Sequence, residues 1–404
     1  MDWTPTRAAG LARLAQFLPA AGPAYAERRN LDLGPQDRSN ISALSPWLRR
    51  RLITEDEVVA AVLARHSYAQ AEKFIQEVAW RTYWKGWLEL RPQLLVRFNA
   101  ERIALKAELE GDSHLARRFA RATSGETGIA CFDAWAEELR DKGWLHNHAR
   151  MWFASIWIFT LRLPWQLGAD FFYKHLLDAD PASNTLSWRW VAGLHTQGKH
   201  YLARAENIAR NTGGRFAPHG QLDEAAAPLT EAAPPLPVTP LASAQRHDHG
   251  PCALLLTEED LHPESWEIGG EVKAIAVLPS ASVAQPDSPA ALFSQGALDD
   301  AAARAQAHFG IPASVVEADR LPGWLHGQGL TTLITAEAPV GLIGWQLAEV
   351  ARRLASDGAA LLQLRREWDD LLWPHATAGF FKLKTRLPTT IARLGLDPAT
   401  PRLL

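Results

Sequence analysis

The chain has 404 residues, 47% hydrophobic and 22% charged, which is enough to bury a large core in roughly two or three domains and excludes wholesale disorder. Its two cysteines, Cys131 and Cys252, lie far apart, which argues against a disulfide scaffold, a zinc ribbon or a four-thiolate cluster and fits a reducing cytoplasm; no apolar run reaches the ~18 residues of a membrane span, and Met1–Pro5 lacks a leader's pattern. The net charge of −3 is uneven: residues 1–216 carry 29 Lys+Arg against 23 Asp+Glu, residues 217–404 carry 13 against 22, so only the first half suits a polyanion.

In chain order, Thr54–Glu57 reads as a capping box opening the apolar run Val58–Leu63. Residues 71–90 form a helix that gathers Glu77, Trp80, Arg81, Trp84 and Trp87 on one side. A helix over 133–141 closes near Gly143, and a longer one over 144–163 is ended by Pro164. From Ala217 to Gly250 there are six prolines, runs of alanine and no Phe, Trp or Tyr, which reads as a linker. Beyond it strands are expected at 252–256, 272–278, 314–316 and 332–334, with helices at 297–309 and 341–355. The fold class is therefore a helical domain, 1–216, a Pro/Ala-rich linker, 217–250, and a small parallel-sheet α/β domain, 251–404, with neither GxGxxG nor P-loop fingerprint.

Tryptophan is the compositional excess: 17 in all, twelve of them between Trp3 and Trp190. Most such rings serve packing. Three helical-domain clusters mix aromatic and polar groups. Ser42 and Ser45 flank a turn before a helix, where hydroxyls and backbone N–H groups hold phosphate, or simply cap. Glu77 and Arg81, at i and i+4, read either as an ion pair or as the polar edge of an aromatic face that stacks a flat heterocycle. Asn147, Arg150 and Met151 share a helical face near Asp178 and Asp180. His146 and His148 point about 200° apart on a helix, so no metal site is assigned. In the C-terminal domain, Trp368–His375 and Phe380–Lys382 serve either to dock the acidic half on the basic one or to help close the site of the first half.

The ordered series Tyr25…Arg29, Ser42-Ala43-Leu44-Ser45-Pro46, Glu77-x-x-Trp80-Arg81, Gly143-Trp144-Leu145-His146-Asn147-x-x-Arg150-Met151 and Asp178-x-Asp180-x-x-x-Asn184-x-x-x-Trp188-x-Trp190 resembles the catalytic domain of the DNA photolyase/cryptochrome superfamily. The resemblance covers about residues 25–216. The helical domain preceding the α/β domain is similar to the short, inverted-order bacterial photolyase-like group (NewPHL), in which the C-terminal domain covers the flavin site.

The resemblance implies FAD as cofactor. Tyr25, Ser42, Leu44 and Ser45 match positions around its diphosphate, with Ile41 standing where threonine is usual and Phe74 where tryptophan is common. Arg81, Asn147, Arg150, Asp178 and Asp180 match flavin-pocket positions, and Asn184 matches the residue facing flavin N5, where an amide can donate or accept. Glu77 matches the carboxylate that contacts the lesion, and Arg29, Trp80, Met151 and Trp190 match the substrate side. Trp188 and Trp165 match the first two members of an electron-transfer chain; Trp152, Trp157 and Trp135 are candidates for the third. The implied activity is light-driven splitting of cyclobutane pyrimidine dimers in UV-damaged DNA. Flipping a dimer from a duplex costs a few kcal/mol, and the charge surplus is modest, so single strands are the expected substrate. A cytoplasmic monomer without an obligate protein partner is expected. The alternatives are a cryptochrome-like photoreceptor without repair, a (6-4) photolyase and a flavin-free helical nucleic-acid binder.

Overall fold

A computed structural model describes residues 3–231, 236–280 and 287–399. The capping box forms as read: the Thr54 hydroxyl accepts from the Glu57 N–H and the Glu57 carboxylate accepts from the Thr54 N–H, opening the helix Glu55–Leu63. A second box, Ser67 with Gln70, opens the long helix Tyr68–Glu89, which carries the Glu77–Trp87 face. The helix Ala130–Lys142 ends on Gly143 at φ 64°, where a Cβ would lie 2.9 Å from Leu177 and 3.1 Å from the His175 carbonyl, so glycine is required.

The helix expected from residue 144 begins instead at Asn147, because the His146 Nδ1 accepts from the His148 N–H and so caps it; Trp144 lies in the preceding loop. It runs as Asn147–Ser155 and widens into a π-helical turn, Ile156–Thr160. Pro164 ends nothing further and instead precedes the next helix, Trp165–His175.

The α/β part is a five-stranded, wholly parallel sheet: β1 (Pro251–Leu256), β2 (Glu271–Val277), β3 (Ala313–Val315), β4 (Thr332–Ala336) and β5 (Ala360–Leu364), in spatial order β3-β2-β1-β4-β5. Alternation along β1 divides its two faces. Cys252, Leu254 and Leu256 join the same core as the helical part, and Ala253 and Leu255 join a smaller core beneath the helices Leu321–Gly327 and Leu342–Ser356.

Among the described residues, 213–250 hold no helix or strand, yet the segment is pinned along its course. The Leu229 N–H donates to the Ala192 carbonyl, the Thr239 N–H to the Leu90 carbonyl, and Glu231 pairs with Arg189 and Arg97. No helix among the described residues is long and apolar enough to cross a membrane.

Candidate active site

One cavity of about 520 Å³ opens into the helical part, within the range of small-molecule and cofactor sites. Every residue matched to the cofactor, to the lesion or to the first relay position lines it; Trp165, the third-relay candidates Trp135, Trp152 and Trp157, and Trp87 do not. The first wall comes from the Pro23–Arg28 helix and the 38–45 turn. Arg13 staples that turn by donating to the carbonyls of Arg38, Ile41 and Ser42, and Ala43 takes φ 52° at its apex, which turns Ile41, Ser42, Leu44 and Ser45 along one side. The Ser45 hydroxyl accepts from the Trp144 indole at 3.1 Å. Tyr25 and Phe74 meet edge-on at 5.2 Å behind the same side.

The ion pairs differ from the i,i+4 reading. Glu77 pairs with Arg29, 48 residues away, and Arg81 pairs with Asp180 (2.5 Å) and Asp178 (3.5 Å). The long helix presents Glu77 and Arg81 to two different walls, so each meets a tertiary partner before it meets the other. Arg150 also reaches Asp178, at 3.1 Å. Burial by itself would raise Asp178 and Asp180, but their guanidinium partners outweigh it and hold both carboxyls below the ordinary range. At Glu77 burial wins over Arg29 and raises the carboxyl.

The loop bearing both aspartates is clamped from outside the cavity. Arg49 donates to the Ala179 carbonyl (3.2 Å) and forks onto Glu259 at 2.7 Å through each nitrogen; Arg50 donates to the Leu177 carbonyl and to the Ser294 hydroxyl, each at 2.5 Å. Glu259 and Ser294 belong to the α/β part, so that part fixes the acid loop without lining the cavity, whose walls run from Tyr25 to Val191. Its C-terminal aromatics dock on the long helix: Trp368 donates to Thr82, Trp373 lies against Gly86, and Phe380 stacks on Trp80 at 3.9 Å.

On the remaining side, the Asn184 amide donates to the Ala169 carbonyl at 2.7 Å, while its oxygen has no partner among the described residues. Met151 and Asn147 meet at 3.9 Å through the sulfur, and Trp190 stacks on Tyr201. Trp188 is buried against Trp157, 6.1 Å between ring centres. Trp165 lies off the cavity, stacked on Phe98 at 5.3 Å, one helical turn before Gly168. Of the candidates for a third relay, Trp157 touches Trp188, whereas Trp152 and Trp135 stack on one another.

Glu55, His146 and Ser183 are among the cavity-lining residues that were given no role in the site from the sequence. Glu55 was legible only as a first-turn acid and His146 only as part of a metal pair that does not form. Burial lowers His146 to about 4, so the ring is neutral and, with Nδ1 accepting, its Nε2 carries the proton.

A family model of the FAD-binding domain of DNA photolyase matches residues 74–222. Over those residues the helical part of the chain is similar to the DNA photolyase/cryptochrome superfamily. The cofactor of this domain is FAD. Relatives include the deoxyribodipyrimidine photo-lyase of Agrobacterium fabrum, 33% identical over 195 residues (47% of this chain, 39% of the relative), and that of Thermus thermophilus, 32% over 249 residues (60% and 55%). Among solved structures, a class III photolyase from Agrobacterium tumefaciens is 28% identical over 52% of this chain and 43% of that one, with a TM-score of 0.41. The chain spans roughly half or less of the length of the curated relatives it matches.

The cavity's own chemistry fits the cofactor. Four buried polar atoms on its walls have no partner among the described residues: Glu55 Oε1, His146 Nε2, Ser183 Oγ and Trp188 Nε1. Orphaned buried groups cost stability unless a polar ligand satisfies them.

Proposed function

We propose that the protein is a light-driven deoxyribodipyrimidine photo-lyase acting on cyclobutane pyrimidine dimers, preferring single-stranded DNA, and that it works as a cytoplasmic monomer of the short, inverted-order photolyase-like group. In this reading residues 1–216 are the catalytic domain, 217–250 a strap and 251–404 a second domain.

The observation that carries the reading is that one cavity brings the diphosphate-side residues Ser42 and Ser45, the flavin-side residues Arg81, Asp178 and Asn184, and the lesion-side residues Glu77, Trp80, Met151 and Trp190 onto shared walls. A receptor without repair has no use for the last four. FAD, when bound and reduced, supplies the photoexcited electron that opens the cyclobutane ring and accepts it back, so no net redox change results. The chain's contribution is positional and electrostatic. Ser42, Ser45 and the stapled turn hold the diphosphate; Arg81, Arg150 and the clamped aspartates fix the ring system's polar edge; Asn184 offers an amide whose carbonyl oxygen is uncommitted. Trp80 and Trp190 wall the flipped dimer and exclude water. Glu77, raised by burial yet held by Arg29, is placed to contact the dimer's carbonyl and amide edge in either protonation state.

The test is illumination of the purified holoprotein with oligonucleotides carrying one cyclobutane dimer or one (6-4) photoproduct, single- and double-stranded, with repair followed by chromatography. Repair of the cyclobutane dimer is expected, faster in single strands. Glu77→Ala is expected to lower the repair yield about tenfold or more, the loss of one charge-assisted hydrogen bond, with FAD still bound. An unchanged yield refutes the assignment.

A further inference from the structure

The C-terminal half is acidic overall, yet residues 371–396 contain Lys382, Lys384, Arg386 and Arg393 and no Asp or Glu. That segment packs, through Phe380, on Trp80, a residue of the cavity wall. The short helix Phe380–Lys384 runs antiparallel along Tyr68–Glu89: Phe380 stacks on Trp80, a wall of the cavity, and Lys384 pairs with Glu72 two turns earlier at 2.9 Å. Its approach is fixed by two further bonds, from Tyr83 to the Ala378 carbonyl and from Arg91 to the Thr377 carbonyl, each 2.8 Å.

On this anchored platform Phe381 is 74% exposed, the most exposed large hydrophobic among the described residues, beside the buried Phe380 at 6.2 Å. Lys382 reaches only the Thr377 hydroxyl and Arg386 has no carboxylate partner among the described residues; both are exposed, and both lie close enough to His375 to disfavour its charged form. Lys73, one turn before Glu77 and next to Glu72 on the long helix, is a further exposed cation. Single exposed hydrophobic side chains are ordinary at protein surfaces; what sets Phe381 apart is an anchored ring flanked by cations that have no carboxylate partner among the described residues. An aromatic ring flanked by unpaired cations matches the alternation of base and phosphate along a nucleic-acid strand.

We infer that the Phe381–Arg386 face of the α/β part is a DNA-contacting surface, in which Phe381 stacks on a base flanking the flipped dimer while Lys382 and Arg386 neutralise the adjoining phosphates. The inference rests on the lyase reading for its substrate and adds a contact supplied by the other part of the chain.

The test measures binding of the full-length holoprotein, in the dark, to fluorescein-labelled oligothymidine with and without one cyclobutane dimer, by anisotropy over a range of salt. Phe381→Ala is expected to weaken binding roughly fivefold to hundredfold, the factor that about 1–3 kcal/mol of stacking corresponds to, and Phe381→Trp to restore it. Lys382→Ala with Arg386→Ala is expected to lower the slope of log K against log salt by about 1.4, two phosphates at ~0.7 each on a single strand. Flavin content stays at the parent level in all three. Parent-like binding by Phe381→Ala, or a parent-like salt slope in the double variant, overturns the proposal; so does an effect confined to sedimentation of the protein alone, which assigns the face to a second copy. If the face binds DNA as stated but illumination repairs neither photoproduct, the surface stands and the lyase reading falls. Repair with parent-like variants gives the reverse.

Discussion

At the scale of single residues, Trp188 shows how packing and electron supply share one side chain. Its ring tip fills the space left by Gly168: a Cβ there would lie 2.3 Å from Trp188 Cη2 and 2.9 Å from Trp157. Gly168→Ala is therefore expected to overpack both rings, destabilise by about 1–3 kcal/mol and lower FAD occupancy, read from the urea midpoint and the flavin-to-protein absorbance ratio. Trp188→Phe keeps most of the volume but raises the oxidation cost of the ring. It is expected to suppress flavin photoreduction while leaving repair by chemically reduced enzyme intact; equal photoreduction rates in variant and parent exclude Trp188 as the relay. The sequence order of motifs made Trp188 and Asn184 legible. The partners of Glu77 and Arg81 were not, because Arg29 and Asp180 lie 48 and 99 positions away and only the packing of helices decides which carboxylate a guanidinium meets first.

At the scale of elements, the consequential run is Arg49-Arg50-Arg51, which composition alone presents as surface charge. In an open parallel sheet the crevice at the switch point, beyond the carboxyl ends of β1 and β4, is the usual place for a ligand. Here the residues just past β1 are taken by these arginines: Arg49 forks onto Glu259, and Arg51 meets Asp260 (3.7 Å) and Asp369 (2.5 Å). The crevice is an internal joint, and its far side holds the acid loop of the cavity. Glu259→Gln leaves Arg49 buried opposite a neutral amide, a change on the order of 3–5 kcal/mol when a buried pair loses one charge. The expected outcome is weaker FAD retention on gel filtration along with a lower urea midpoint, although residue 259 touches no part of the cavity; full retention refutes the clamp. The sequence showed β1, β2, β3 and β4 through apolar, β-rich runs between turns, but β5 was missed. Its residues, Ala360-Leu361-Leu362-Gln363-Leu364, lack β-branching and become a strand only because β4 offers an unpaired edge.

At the scale of the whole molecule, the two parts meet through buried carboxyls that titrate on opposite sides of neutrality. Asp260, lowered to about 2 because Arg366 and Arg51 outweigh its burial, contributes stability that is present above its unfolded value and is lost as pH falls toward 2. Glu89 behaves oppositely. At the end of the long helix it accepts from the Val340 N–H of the loop after β4, and burial, with Glu337 nearby, raises it to about 8 against the opposing pull of that N–H and Arg365. A raised folded value means that the native state holds a proton the unfolded chain releases, so this contribution is complete below about pH 4.5 and is lost as pH rises to about 8. Glu138, raised to about 7 by burial despite Arg38, adds to the same slope within the helical part. Between pH 6 and 8 these two carboxyls are therefore expected to cost stability, while histidines that burial holds below their ordinary value, His146 and His195 among them, contribute in the opposite direction as pH passes about 6.5. Glu89→Gln, uncharged throughout, is expected to flatten the carboxyl part of that dependence. Urea midpoints of parent and variant at pH 6, 7 and 8 measure it: parallel curves would show that Glu89 ionises in the folded protein as it does in the unfolded chain. The flattening is specific to the joint if FAD release in the parent follows the same alkaline limb, since the joint carries the clamp on the Asp178–Asp180 loop.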